Sequence, residues 1–118
     1  MKGKRKPNRN YIPSTSPPQL FLYGKIKSKF KSAEHNKRIK TDRGYRYADI
    51  AIQTNGLDKT KHKIDVEYDG YISHRYRKKQ DRERDLELLR AGWVTIRVDK
   101  NNVGNIFGLI SEVINKCQ

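Results

Sequence analysis

The sequence predicts an α/β sandwich, a small mixed sheet with helices packed on it. Two observations predict it. Apolar residues recur first at a helical period, then in alternation, then at a helical period again. Segments rich in aromatic and β-branched residues are also set apart by turn signals and by one long charged stretch. The elements read as helix, two or three strands, helix, strand, helix. A chain of 118 residues holds material for one core and not two.

The first helix opens at Ser16-Pro17-Pro18-Gln19. Serine suits the N-cap, proline the first helical position, and glutamine can reach back as in a capping box. The helix should reach about residue 30, with Leu20, Tyr23, Ile26 and Phe30 in period and Phe21 and Leu22 broadening the apolar side. Asp42-Arg43-Gly44 is a turn signal, and residues 45–53 follow as a strand. Thr54-Asn55-Gly56 opens a polar loop before a second strand at 63–69, so an antiparallel hairpin is expected. Residues 75–90 contain no glycine or proline and place Leu86 and Leu89 on one side, predicting a helix closed by Ala91-Gly92. Residues 93–98 form a short apolar strand. Val103, Ile106, Phe107, Ile110, Val113 and Ile114 give an amphipathic final helix.

The charge balance narrows the partner. Lysine and arginine number 27 against 13 acids, for a formal net charge of +14. Such a field attracts polyanions and makes their binding salt-dependent. No apolar stretch approaches the ~20 residues of a spanning helix, and the basic N-terminus has no signal-like apolar region. A cytoplasmic protein without membrane attachment is therefore expected, and the single cysteine, Cys117, fits a reducing compartment. All four prolines fall in the first eighteen residues, and no acid precedes Glu34. Residues 1–15 read as a basic arm, with Lys4, Arg5 and Lys6 either gripping phosphate or merely solvated, and residues 16–118 as the domain.

The segment Ile64-Asp65-Val66-Glu67-Tyr68-Asp69-Gly70 carries the chemistry. Alternation puts Ile64, Val66 and Tyr68 on one face and Asp65, Glu67 and Asp69 on the other. Three acids on one face repel unless a cation sits among them. Asp49 interrupts the otherwise apolar run Tyr47-Ala48-Asp49-Ile50-Ala51-Ile52, where a lone carboxylate is costly. A hairpin can bring Asp49 beside Glu67, and carboxylates from adjacent strands suit a hard ion such as Mg²⁺, with Mn²⁺ as a substitute. The competing reading is that arginines satisfy these acids as ordinary ion pairs. His74, four residues past Gly70, is either a surface residue or a proton-handling group. His35 and His62 have no such context. In the charged helix Asp81 can pair with Arg84, and Asp85 with Arg82, at helical spacing. Its more one-signed start, Arg75, Arg77, Lys78 and Lys79, suits phosphate contacts.

Taken together, Tyr47 to Asp49, the 64–70 segment, His74, Asp81-Arg82-Glu83-Arg84-Asp85 and Ala91-Gly92-Trp93-Val94-Thr95-Ile96-Arg97 resemble the very-short-patch-repair (Vsr-like) endonucleases of the PD-(D/E)xK superfamily. The resemblance spans about residues 16 to 103. It implies a restriction-endonuclease-like three-layer sandwich and a Mg²⁺-dependent DNA endonuclease of a repair-type family. Asp49, Glu67 and Asp69 would hold metal, and His74 would assist proton transfer. Gln19 matches a first-helix position that is often glutamate. Glu67-Tyr68-Asp69 stands where the superfamily has Glu-x-Lys, so the customary lysine is missing. DNA is the expected partner, and a homodimer is left open. A noncatalytic nucleic-acid-binding protein is the alternative, and an RNA-directed nuclease a third reading.

Overall fold

The computed structural model describes residues 16–56, 59–69 and 78–116. Lys4, Arg5, Lys6, His74, Arg75 and Arg77 lie outside the described residues, as does the side chain of Lys78. Helix α1 spans Pro17–Lys29, followed by strands β1 (Glu34–Thr41), β2 (Gly44–Asn55) and β3 (Lys61–Tyr68). Helix α2 (Lys78–Arg90) leads to β4 (Trp93–Val98), and a 3₁₀ turn (Val103–Asn105) runs into α3 (Ile106–Lys116). No helix among the described residues is long and apolar enough to cross a membrane.

The sheet order is β1-β2-β3-β4. β1 and β2, and β2 and β3, pair antiparallel, while β3 and β4 are parallel. A parallel pair needs a long crossover, and the connection that carries α2 provides it. The mixed α/β sheet is as expected, with three strands before the crossover. The hairpin between β1 and β2 turns at Asp42 and Arg43, where Gly44 adopts φ 115, a left-handed conformation that favours glycine. Gly92, at φ 93, closes α2 in the same way.

Two apolar layers cover the sheet. On one face Leu22 and Ile26 of α1 and Ile106 and Ile110 of α3 pack on Ile50, Ile52, Ile64, Val66 and Val98. On the other, Leu88 of α2 packs with Ile39, Ala48, Ala51 and Trp93. Alternation along β3 therefore delivers Ile64 and Val66 to the first core and frees Asp65 and Glu67 for the α2 side.

Helix faces differ from expectation in two places. In α2, Leu86 and Leu89 are 54% and 55% exposed, whereas Leu88 is fully buried. Leu88 shares its side of the helix with Arg84, one turn earlier, and Glu87, whose carboxylate takes two hydrogen bonds from Arg46 of β2 at 2.8 Å. The helix thus packs through a mixed polar face, and its leucine count misleads. In α1, Leu20 and Phe21 are exposed while Gln19, Leu22 and Ile26 are buried. Ser16 does cap α1, its Oγ accepting from the Gln19 N–H at 3.3 Å.

Candidate active site at a break in the sheet

β2 is interrupted on both edges at Asp49. Toward β1, His35 pairs with Ile50 and Lys37 with Ala48, so the rung between Asn36 and Asp49 is missing. Asn36 has φ 52, a conformation that non-glycine residues rarely adopt. The alternation of faces also loses phase there, because Ile50 and Ile52 belong to the α1 side whereas Ala48 joins Ala51 beside Leu88. This double irregularity has the character of a β-bulge, which re-aims a side chain in mid-strand.

Toward β3, the ladder ends with Ile50 paired to Val66. Beyond it, carboxylates replace main-chain carbonyls. The Asp49 N–H donates to Glu67 Oε2 at 3.2 Å, and the Tyr68 N–H donates to Asp49 Oδ2 at 3.2 Å. β3 meanwhile continues against β4, with Glu67 beside Arg97 and Tyr68 beside Val98. Strands β2 and β3 part at this point, and Asp49 and Glu67 occupy the opening.

Asp65 completes a cluster of three carboxyls. It is fully buried, and its Oδ2 accepts from Thr95 Oγ1 at 3.2 Å and from Arg84 Nη1 at 3.3 Å. Its Oδ1 is buried without an N–H or hydroxyl donor among the described residues. Arg84 Nη2 also donates to Glu67 Oε2 at 2.8 Å and to the Tyr47 carbonyl. One guanidinium therefore serves Asp65 and Glu67. Asp49, Asp65 and Glu67 would carry two negative charges in excess of it if all were ionised.

The carboxyls respond by holding protons. Burial, then the charge of Glu67, pushes Asp49 up to about 7. Burial and the neighbouring Asp65 raise Glu67 well above the usual carboxylate range. Burial raises Asp65 too, opposed by Glu67 and Arg84. Glu67 hydrogen-bonds through its carboxyl to both Asp49 and Asp65, contacts that need a shared proton.

A second arginine gathers the remaining acids. Arg97 of β4 donates from Nη2 to Asp85 Oδ1 at 2.6 Å and from Nη1 to Asp69 Oδ1 at 3.2 Å, with Asp81 Oδ2 at 3.7 Å. Asp69 is thus held by Arg97, while Asp49 and Glu67 meet each other. The helix-internal pairs expected of Asp81 with Arg84 and of Asp85 with Arg82 give way to this cross-element arrangement. Five acids, Asp65, Glu67, Asp69, Asp81 and Asp85, thus pair with two arginines.

Gln19 is buried, and its amide nitrogen lies 3.2 Å from His35 Nε2 on β1, with Tyr23 stacked on the same imidazole at 5.1 Å. Its side chain therefore joins α1 to β1 and does not turn back to cap the helix. Lys79 is exposed at the start of α2.

The donor set can be judged for a divalent ion. No three His, Cys, Asp or Glu side chains among the described residues are arranged to hold a metal ion. Asp49 and Glu67 offer two carboxylates. That set suits Mg²⁺, which commonly takes one or two carboxylates and completes its octahedron with water and phosphate oxygens. An ion there would replace the protons that the cluster otherwise retains.

Arg84 and Thr95 were missed by sequence reasoning as members of the site, and Asp65 was placed in the acid cluster without a role of its own. Their signals existed: Arg84 lies four residues before the buried Leu88, and Thr95 and Arg97 alternate with Ile96 and Val98. No protein-family model, no curated protein and no solved structure matches the chain.

Proposed function

We propose that the chain is a Mg²⁺-dependent DNA endonuclease of the restriction-endonuclease-like, Vsr-like type, hydrolysing phosphodiester bonds at Asp49 and Glu67. The observation that carries this reading is the opening of the sheet between β2 and β3, where two carboxyls replace the ladder and keep protons for want of a cation. The element order supports it, with one helix before three antiparallel strands and a crossover helix before a parallel fourth. So does the +14 charge.

A bound Mg²⁺ supplies charge neutralisation at the scissile phosphate. The chain's own residues do the rest. Asp49 and Glu67 would hold the ion, and Arg84 with the Asp49 N–H fixes Glu67 Oε2. Arg84 and Thr95 hold Asp65 behind Glu67. Asp69 is a positioning residue on Arg97 in this scheme. His74, which would pass a proton to or from water or the leaving oxygen, lies outside the described residues. Basic side chains at the start of α2 and in residues 1–15 hold the DNA backbone.

Nicking of supercoiled plasmid with Mg²⁺, and its loss on chelation, is the direct test. A second reading draws on the ion pairs themselves. Arg84 and Arg97 satisfy acids as a purely structural network would. Under it the chain binds nucleic acid without cutting, and DNA is retained on the protein with no Mg²⁺-dependent nick.

A further inference from the structure

Past the break at Asn36, β1 and β2 run on as a two-stranded ribbon toward the turn at Asp42 and Arg43. Arg38 pairs with Tyr47, Ile39 with Arg46 and Lys40 with Tyr45. Ile39 packs beside Leu88 and Arg46 reaches Glu87, so this rung faces α2. Alternation then puts Arg38, Lys40, Tyr45 and Tyr47 together on the opposite face. On that face the helix cover stops short. Gln19 and Tyr23 of α1 meet His35, and none of the four ribbon residues joins the core beneath α1 and α3. Arg38 and Lys40 are exposed, and Tyr45 is 38% exposed. The Arg38 guanidinium lies 4.3 Å from the centre of the Tyr45 ring, a contact that holds it over the strand pair. Unlike Arg84 and Arg97, neither Arg38 nor Lys40 has a carboxylate within ion-pair reach among the described residues. Residues 1–15, which lead into α1, contain no acid either, so that segment has no negative charge with which to cover the face. Charges on an edge strand also deter pairing with other chains, but that role calls for neither a shared face nor a stacked guanidinium.

We propose that this face of the β1–β2 ribbon is a docking surface for the sugar-phosphate backbone of duplex DNA, an assignment that rests on the nucleic-acid reading above but not on cutting. The Arg38 guanidinium donates to one phosphate, and the Lys40 ammonium, two residues on and about 7 Å along the strand, to another. Tyr45 is the positioning residue that keeps Arg38 in place. Contacts of this kind go to phosphate, so they give affinity that falls with salt and carry no base sequence.

The test measures affinity of the full chain for a fluorescently labelled DNA duplex by anisotropy, from about 50 to about 200 mM salt. Two double variants are compared, Arg38→Ala with Lys40→Ala and Lys25→Ala with Lys29→Ala. The second removes the same charge from α1, where both ammonium groups lie over the Phe107 ring. All four side chains are exposed, so neither variant takes away a packed residue. The expected result for the ribbon variant is an affinity lower by about tenfold or more at low salt. Its slope of log affinity against log salt should be shallower by about 2, one for each lost phosphate contact. The α1 variant should lose about threefold or less. Tyr45→Phe keeps the ring under Arg38 and should bind as the unaltered chain does, whereas Tyr45→Ala should weaken binding. Equal losses in the two double variants, or an unchanged salt slope in the ribbon variant, overturn the proposal and leave the nucleic-acid reading standing. An unaltered chain that fails to bind duplex even at low salt overturns both.

Discussion

Arg84 Nη2 stands 2.8 Å from Glu67 Oε2 while its Nη1 reaches Asp65 Oδ2 at 3.3 Å, so one side chain of α2 compensates two buried acids of β3. Removing one partner of a buried pair is far worse than never having the pair, because the other charges stay behind. Arg84→Ala should therefore cost about 3–5 kcal/mol of stability near pH 8. The loss should be smaller at pH 5, because burial shifts both Asp65 and Glu67 toward their protonated forms, which need the arginine less. Urea titrations at the two pH values measure both effects. Equal losses at both would show that Asp65 and Glu67 do not change protonation between the two pH values.

Asp49 makes stability fall as the solution becomes more alkaline. Its carboxyl holds a proton up to about 7 in the folded chain against 3.8 when unfolded. Between those values the folded state binds the extra proton, so the contribution is complete below 3.8 and disappears as pH rises through 7. The raised Glu67 and Asp65 act in the same direction. Glu87 is lowered by Arg46, so its contribution is lost only on stronger acidification. Without divalent ions, Tm should drop from pH 6 to pH 8 more steeply in the unaltered chain than in Asp49→Asn. Added Mg²⁺ should flatten the unaltered chain's decline, since an ion bound only by the folded state raises Tm. Parallel pH curves for the two proteins would remove Asp49 from the titrating cluster.

Neighbouring leucines in α2 should behave oppositely. Leu88 is fully buried between sheet and helix, so Leu88→Ala should cost about 2–5 kcal/mol. Leu89 is 55% exposed, and Leu89→Ala should stay within about 0.5 kcal/mol. Thermal denaturation of the two variants decides between this packing and one centred on Leu86 and Leu89.

Local signals carried much of the fold. The Ser16 cap, the Asp42-Arg43 turn, β4 and the amphipathic α3 all depend on residues close in sequence. β1 was harder to read, because an edge strand of sequence EHNKRIKT buries only Ile39 and Thr41 and shows little alternation. The same distinction applies to the site. Asp49 and Glu67 stood out as carboxyls where an apolar or spaced pattern disfavours them, and a hairpin joins them. Arg84 reaches Glu67 across 17 residues and Asp65 across 19, a pairing set by how α2 lies on the sheet. Spacing rules of three and four residues sent Asp81 and Asp85 to arginines of their own helix, whereas burial brings both to Arg97. Gln19 suited a capping box, yet His35 on β1 offers its side chain a part-buried partner.

The most direct test is to measure cleavage and DNA binding together in the unaltered chain and in Asp49→Asn with Mg²⁺ present. Asparagine keeps the size of the side chain and its capacity to accept the Tyr68 N–H, but removes the charge that an ion needs. The account predicts Mg²⁺-dependent nicking by the unaltered chain and a loss of about 100-fold or more in the variant, equivalent to about 2.7 kcal/mol of barrier. DNA affinity should be unchanged or tighter, because a negative charge near phosphate has gone. Undiminished nicking by Asp49→Asn, or no nicking by the unaltered chain on duplex, mismatched and branched DNA, would contradict it.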